Sequence, residues 1–319
     1  MRMLIGGNNL RRPLRIGLYC GLWPTNIGNA FFEFGVKATL DLAFPDCEVY
    51  HIGGTTHWLV NHAASRHKMN CVKGNSFEIG EVADIDLIVF AGMSMCKEFV
   101  DNNGISFLRA ANRGVATLLL GTGAALYTED EANYYADFLN SLSRYAVITR
   151  DDDTFNLYKD KIKNISAGID SAFFLPDYYV PPKLELPPYN VVNFDSYETP
   201  PEMLHNVDHI IYTHHNILDI RKSHIDKPNT LISGVPEDYL TLYSQVNETH
   251  SDRIHACVAT LAYGKKAKLY SNTPRKSLFS KINAHKITDQ VVALDMDLLK
   301  QLKRDQVEKT RLLISELLS

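Results

Sequence analysis

Arg253 and His255 stand two residues apart at the start of an apolar helical repeat, where a guanidinium and an imidazole could share one small anion. Ile254, Cys257, Val258, Leu261 and Ala262 recur at helical spacing, so they form one buried stripe. At about 100° per residue, Arg253 and His255 fall on the two flanks of that stripe. Helical side chains lean toward the N-terminus, which carries unpaired N–H groups and the positive end of the dipole. Ser251 is the expected N-cap, and Gly264 the expected stop before a strand from Lys266 to Tyr270. Taken alone, the same residues also fit a surface helix with a charged first turn.

Other candidate groups lie at turns. Arg150 follows the apolar run Ala146–Thr149 and precedes Asp151-Asp152-Asp153-Thr154, so an anion site and a local ion pair are both open readings. Lys276 lies beside Arg275 and fits either a ligand or a solvated lysine. An early turn, Gly21 to Asn29, opens a helix with Ile27, Phe31, Phe34, Ala38 and Leu42 on one face. His209, His214 and His215 have no acidic partner at ligand spacing, and adjacent strand histidines point apart, so no metal is expected. Gly121-Thr122-Gly123 lacks the remainder of either nucleotide fingerprint.

The elements around these residues alternate. Strands are expected at Leu14–Cys20, Cys47–Ile52, Asp86–Phe90, Val115–Leu120, Ala146–Thr149 and Ile165–Gly168. Turns follow at Ala91-Gly92-Met93-Ser94-Met95 and at Gly121–Gly123, with helices over Gly104–Asn112 and Asp130–Leu142. The segment from Gly53 to Gly80 reads as loop with one helix near Thr56–Arg66. Five prolines fall within 176–188 of the 13 in the chain, which marks a stiff linker. Alternation then resumes with strands Tyr189–Phe194, His209–Thr213 and Thr230–Gly234. Its helices lie near Pro201–His205, up to about Lys222, and over Glu237–Val246. Asp295–Leu318 is a long terminal helix. The expected class is α/β, with two Rossmann-like domains over 1–175 and 189–319 and a terminal helix able to pack back on the first. Ligands of such parallel sheets bind at the carboxyl ends of the strands. Two such halves with a cleft between them suggest a GT-B-like arrangement, by analogy of fold.

At 319 residues with 45% hydrophobic and 22% charged side chains, the composition is that of a globular protein with ample core. The net charge of −4 gives no reason to expect a nucleic-acid partner. The five cysteines, Cys20, Cys47, Cys71, Cys96 and Cys257, are scattered without C-x-x-C spacing, as reduced core thiols of a cytoplasmic protein are. Arg15 interrupts the N-terminal apolar run, so no signal peptide is read there. Val115–Leu126, the longest apolar run, is too short to span a bilayer.

Four stretches carry a resemblance. They are Asn26-x-Gly28, Arg150-Asp151-x-x-Thr154, Asp170-Ser171-Ala172-Phe173 and Ser251-Asp252-Arg253-Ile254-His255-Ala256. In this order, with Gly264-Lys265-Lys266-Ala267 and Lys276 beyond them, the chain resembles the polysaccharide pyruvyl transferases over most of its length. The last string is the most specific. The resemblance implies a GT-B-like fold and transfer of pyruvate from phosphoenolpyruvate to two hydroxyls of one sugar, giving a ketal and free phosphate. It implies that Arg150, Arg253, Ile254, His255 and Lys276 hold phosphoenolpyruvate, with His255 as general acid and Lys276 as the alternative acid. No cofactor or metal is implied.

The family often carries an acidic residue where this chain has Asn29, so the acceptor side is expected at Asn26, Asn29 and Glu33. The acceptor would be a sugar of a cell-surface glycan or a lipid-linked oligosaccharide. A lipid-linked acceptor would bring a cytoplasmic enzyme to the inner face of the membrane as a peripheral contact. A nucleotide-sugar glycosyltransferase of the same fold and a non-catalytic glycan- or anion-binding protein are the competing expectations.

Overall fold

The computed structural model describes residues 12–20, 23, 26–53, 84–196, 209–217, 220 and 222–319. The expected helices near Thr56–Arg66 and Pro201–His205 lie outside the described residues. The chain forms two compact units. The first contains 1–21, 39–170 and 304–319, the second 22–38 and 171–303. Helix α1 (Gly28–Ala43) is divided between them at Ala38 and Thr39.

The first unit is a six-stranded parallel sheet built from β1 (Arg15–Cys20), β2 (Glu48–Gly53), β3 (Leu87–Met95), β4 (Ala116–Ala124), β5 (Tyr145–Thr149) and β6 (Ile165–Ala167). Their order is β2-β1-β3-β4-β5-β6. Strands β4 and β5 are buried along their whole length, as central parallel strands must be. Helices α2 (Lys97–Asn112), α3 (Glu129–Asn140) and α4 (Asp152–Tyr158) supply Phe99, Phe107, Tyr135, Phe138 and Tyr158 to a core with Leu119 and Val147.

Two expected turns are strand instead. β3 runs on through Ala91–Met95, and β4 through Gly121–Gly123. The pairing register shifts between Phe90 and Gly92 and between Leu120 and Thr122. Gly92 and Gly121 have φ of 79° and 65°, which a side chain rarely adopts. Each glycine therefore makes a bulge that bends the strand without ending it. Helix α2 begins at Lys97 rather than Gly104. Gly104 lies inside it, where a Cβ would be 3.3 Å from the Phe138 ring, so the glycine serves helix contact, not a boundary.

The second unit is a five-stranded parallel sheet of β7 (Asn190–Asn193), β8 (Ile210–Thr213), β9 (Thr230–Leu231), β10 (Glu248–Ser251) and β11 (Lys266–Leu269). Its order is β11-β10-β7-β8-β9. A short helix lies at Lys222–Ile225, and the helix expected up to about Lys222 falls partly outside the described residues. α5 (Pro236–Gln245) and α6 (Ile254–Ala262) follow. α6 is apolar nearly all round, because it packs on β10, β11, α5 and the 3₁₀ turn Ser171–Phe174. Gly264 ends it with φ of 74°, as expected for a C-terminal stop. Gly35 of α1 meets Ser171 so closely that a Cβ would stand 1.8 Å from the Ser171 carbonyl oxygen. The last helix, α7 (Met296–Leu318), crosses the division at Lys303 and Arg304. In the first unit, its Gln306 accepts from the Ile169 N–H at 2.7 Å and its Lys309 donates to the Ala167 carbonyl at 2.8 Å. No helix among the described residues is long and apolar enough to cross a membrane.

Candidate functional site

A polar cluster gathers at the carboxyl ends of the second sheet, around Arg253 and His255. Asp195 follows β7, His214 and His215 follow β8, and Asp252 and Arg253 follow β10. This is the edge at which parallel sheets bind ligands.

Ser251 is not the cap of α6. It ends β10, and Asp252 and Arg253 continue away from the strand before the helix begins at Ile254. Arg253 is the N-cap residue, with extended backbone (φ −102°, ψ 120°) and no side-chain cap bond. The Ser251 hydroxyl still works locally: it accepts from the Arg253 N–H at 2.8 Å and donates to Asn193 Oδ1 at 3.1 Å. Arg253 is thus set by a strand end and His255 by the first helical turn. Both side chains are partly exposed, and Ile254 between them is buried.

Two aspartates, neither singled out as a site residue in the sequence, knit this edge together. Asp252 accepts from the Asp195 N–H at 3.1 Å and the Ser196 N–H at 2.6 Å, fixing the turn after β7. Asp195 accepts from the His215 and Asn216 N–H groups at 3.1 Å each. Its Oδ1 takes the His214 Nδ1 hydrogen bond at 3.1 Å, and its Oδ2 lies 3.4 Å from Arg253 Nε. Burial pushes the Asp195 carboxyl up, but the His214 hydrogen bond and the neighbouring His215 and Arg253 side chains hold it below the usual carboxylate value. The only hint of Asp195 in sequence is an acid just after an apolar strand.

The early turn comes to the same place. The Ile27 N–H donates to the His215 carbonyl at 2.9 Å, and the Gly28 N–H donates to Asn26 Oδ1 at 3.1 Å. Gly28 lies between two imidazoles: a Cβ there would be 3.1 Å from His255 Cβ, 3.2 Å from His215 Nδ1 and 3.3 Å from Asn26 Oδ1. Phe32, the next turn of α1, stacks at a tilt on His255 with centroids 5.3 Å apart. Asn26 and Asn29 are half-buried and Glu33 is buried. All three belong by their contacts to the second unit, with His255.

His215 itself is fully buried. Its Nε2 is 2.7 Å from the Tyr243 hydroxyl, and a buried chain continues through Thr213 (3.4 Å) and Asn193 (3.0 Å) to Ser251. Burial, reinforced by the charges of Arg253, His255 and His214, pushes its pKa down to about 3 against the pull of Asp195. His214 stacks on His224 with centroids 4.0 Å apart. No group of three or more metal-ligating side chains occurs among the described residues.

Lys276 sits in the 3₁₀ turn Pro274–Phe279, exposed, with its ammonium 3.1 Å from Asn272 Oδ1. Arg150 lies in the other unit. It follows β5, is 1% exposed, and has Asp151 and Asp170 carboxylate oxygens 3.7 Å from its Nε and Nη1. Asp151 is also the cap of α4, accepting from the Thr154 N–H at 2.7 Å. The guanidinium lies on the backbone of Gly123, where a Cβ would be 2.3 Å from Nε. Its Nε and Nη2 have no hydrogen-bond acceptor among the described residues.

Two parallel Rossmann-like sheets with polar clusters at their carboxyl ends define an α/β protein of the GT-B-like class. Solved structures of similar fold include a UDP-N-acetylglucosamine 2-epimerase (11% identity, TM-score 0.56, 97% of this chain and 96% of that one). Others are the S. aureus MnaA–UDP co-structure (10%, 0.53, 96% and 91%) and the Rickettsia bellii UDP-N-acetylglucosamine 2-epimerase (11%, 0.52, 94% and 96%). At such identities the likeness is one of fold alone. No curated protein sequence matches. The sequence model of the polysaccharide pyruvyl transferases matches residues 26–272, and the chain belongs to that family, a family of transferases.

Proposed function

We propose that the chain moves pyruvate from phosphoenolpyruvate onto two hydroxyls of one sugar of a cell-surface glycan or its precursor. The observation that carries this reading is that Arg253 and His255, each partly exposed, both stand at the start of α6, with the Asn26–Gly28 turn beside His255. Phosphoenolpyruvate presents a carboxylate and a phosphate on one vinyl group, and arginine matches either with a pair of N–H groups. The α6 N-terminus adds its dipole.

In this reading His255, as imidazolium, delivers a proton to the terminal vinyl carbon. Positive charge develops at the central carbon, and one sugar hydroxyl adds there. The bond from that carbon to the bridging oxygen breaks, phosphate leaves, and the second hydroxyl closes the ketal. Of the two hydroxyl protons, one replaces the proton that His255 gave and one is carried away on phosphate. Lys276 is the second acid candidate and a further cation for the donor. Asn26, Asn29 and Glu33 line the acceptor side. Arg150 is a further donor cation on the strength of the family resemblance alone.

The test is thermal shift and turnover. Phosphoenolpyruvate should raise the melting temperature and UDP-sugars should not. Arg253→Ala should abolish that shift. His255→Ala should keep it and lower phosphate release by roughly 10²- to 10⁴-fold. Stabilisation by a UDP-sugar alone would refute the reading, and wild-type release by His255→Ala would refute the acid role of His255.

A further inference from the structure

We propose that Asp195 is a positioning residue that grips Arg253 by its Nε edge and so turns the terminal Nη1 and Nη2 groups toward the donor. The inference rests on the reading that Arg253 binds phosphoenolpyruvate. A guanidinium has five N–H donors on two edges. Asp195 Oδ2 lies 3.4 Å from Nε, and among the described residues no other carboxylate pairs with Arg253. The Nε edge faces this carboxylate as an ion pair, and the Nη1 and Nη2 edge is the one proposed to meet a carboxylate or phosphate in a bidentate way.

Asp195 is suited to this because it cannot move. Its own N–H is held by Asp252, and its carboxylate takes the His215 and Asn216 N–H groups and the His214 ring. These contacts come from the turns after β7, β8 and β10, so one buried carboxylate fixes three strand ends and the arginine together. An ionised carboxylate only accepts, so His214 donates through Nδ1. Asp252, two residues before Ile254, thereby reaches Arg253 twice, along the chain and through Asp195. This assigns work to the acid of the Ser251-Asp252-Arg253 string that does not involve touching the substrate.

The test is the double-mutant cycle of Asp195→Asn and Arg253→Lys, read as KM for phosphoenolpyruvate against kcat. Asp195→Asn should raise KM roughly tenfold, with kcat changed far less. Arg253→Lys removes the Nε–H, so in that background Asp195→Asn should add no further rise. A purely structural Asp195 would instead lower the active fraction, reducing kcat at unchanged KM, and that result overturns the proposal. Should Asp195→Asn not fold, the Arg253 Nε–H resonance of the wild-type protein decides. Protection from hydrogen exchange without ligand supports the grip, and free exchange overturns it. Wild-type protein that neither binds nor turns over phosphoenolpyruvate refutes the proposed reaction, while the Nε–H measurement still judges the contact.

Discussion

His215 offers a prediction that does not depend on the reaction. Its ring is fully buried, its pKa is pushed from 6.5 to about 3, and its Nε2 is tied to Tyr243 at 2.7 Å. The unfolded chain therefore takes up a proton on this side chain as pH falls below 6.5, while the folded chain stays neutral until about 3. The folded pKa is depressed below the unfolded one, so the unfolded state binds more protons in that window. Stability is then constant above 6.5 and falls as pH drops toward 3. Near pH 5 the loss from this one group is about 2 kcal/mol. At about 2–4 °C per kcal/mol that lowers the melting temperature by roughly 4 to 8 °C. The assay compares melting of wild type and His215→Gln at about pH 7.5, 6.5, 5.5 and 5. Gln does not titrate, so the variant should melt lower at neutral pH and lose less on acidification, and the gap should narrow by about 2 kcal/mol. The other histidines and the carboxylates, Asp195 included, are common to both proteins and largely cancel. Parallel curves for the two proteins would refute the assignment of a buried neutral ring at 215.

Two glycines of α1 should respond differently to alanine. Gly28→Ala places its Cβ 3.1–3.3 Å from His255, His215 and Asn26, a squeeze side chains can partly absorb. Turnover should fall several-fold while the melting temperature moves little. Gly35→Ala meets the Ser171 carbonyl oxygen at 1.8 Å. Backbone cannot rotate away, so stability should fall by about 3 kcal/mol or more, read by denaturant midpoint. Equal melting temperatures for the two variants would contradict this ranking.

Much of the alternation was legible because period and composition agree along central strands such as β4 and β5. The α6 stripe and its Gly264 stop read equally well. What escaped was set by contacts distant in sequence. Ser251 looks like a cap by residue type, yet its hydroxyl is drawn to Asn193 and its backbone completes β10, so the helix starts later. Gly92 and Gly121 look like turn residues, but pairing with neighbouring strands carries the chain through them as bulges. Asp195 carries little local signal. Its role comes from meeting His214, His215, Asn216 and Arg253, which lie 19 to 58 positions further along. His214 and His215 suggest by residue type only a metal site, which the sequence then excludes. Their spacing does not show that one ring joins a carboxylate and the other a buried tyrosine.

Gly123 allows the two readings of Arg150 to be separated. The guanidinium lies between Asp151 and Asp170 at 3.7 Å from each, so its charge is already more than balanced when both are ionised. That favours a structural cation. Against it stand the 3.7 Å separations, beyond hydrogen-bond length, and the Nε and Nη2 donors left without acceptors. A purely structural arginine this deeply buried would be expected to use those donors. In Gly123→Ala the new Cβ would be 2.3 Å from Nε and 2.9 Å from Cζ and Nη2. The guanidinium must shift on the side carrying the two unused donors. Overpacking of this kind costs about 1–3 kcal/mol, so a lower melting temperature is expected under either reading. Only a donor-binding Arg150 also predicts a higher KM for phosphoenolpyruvate, because the displaced N–H groups no longer meet its oxygens. A variant that melts lower at unchanged KM would leave Arg150 to Asp151 and Asp170 alone, and the donor's charge would then have to be met by Arg253, His255 and Lys276.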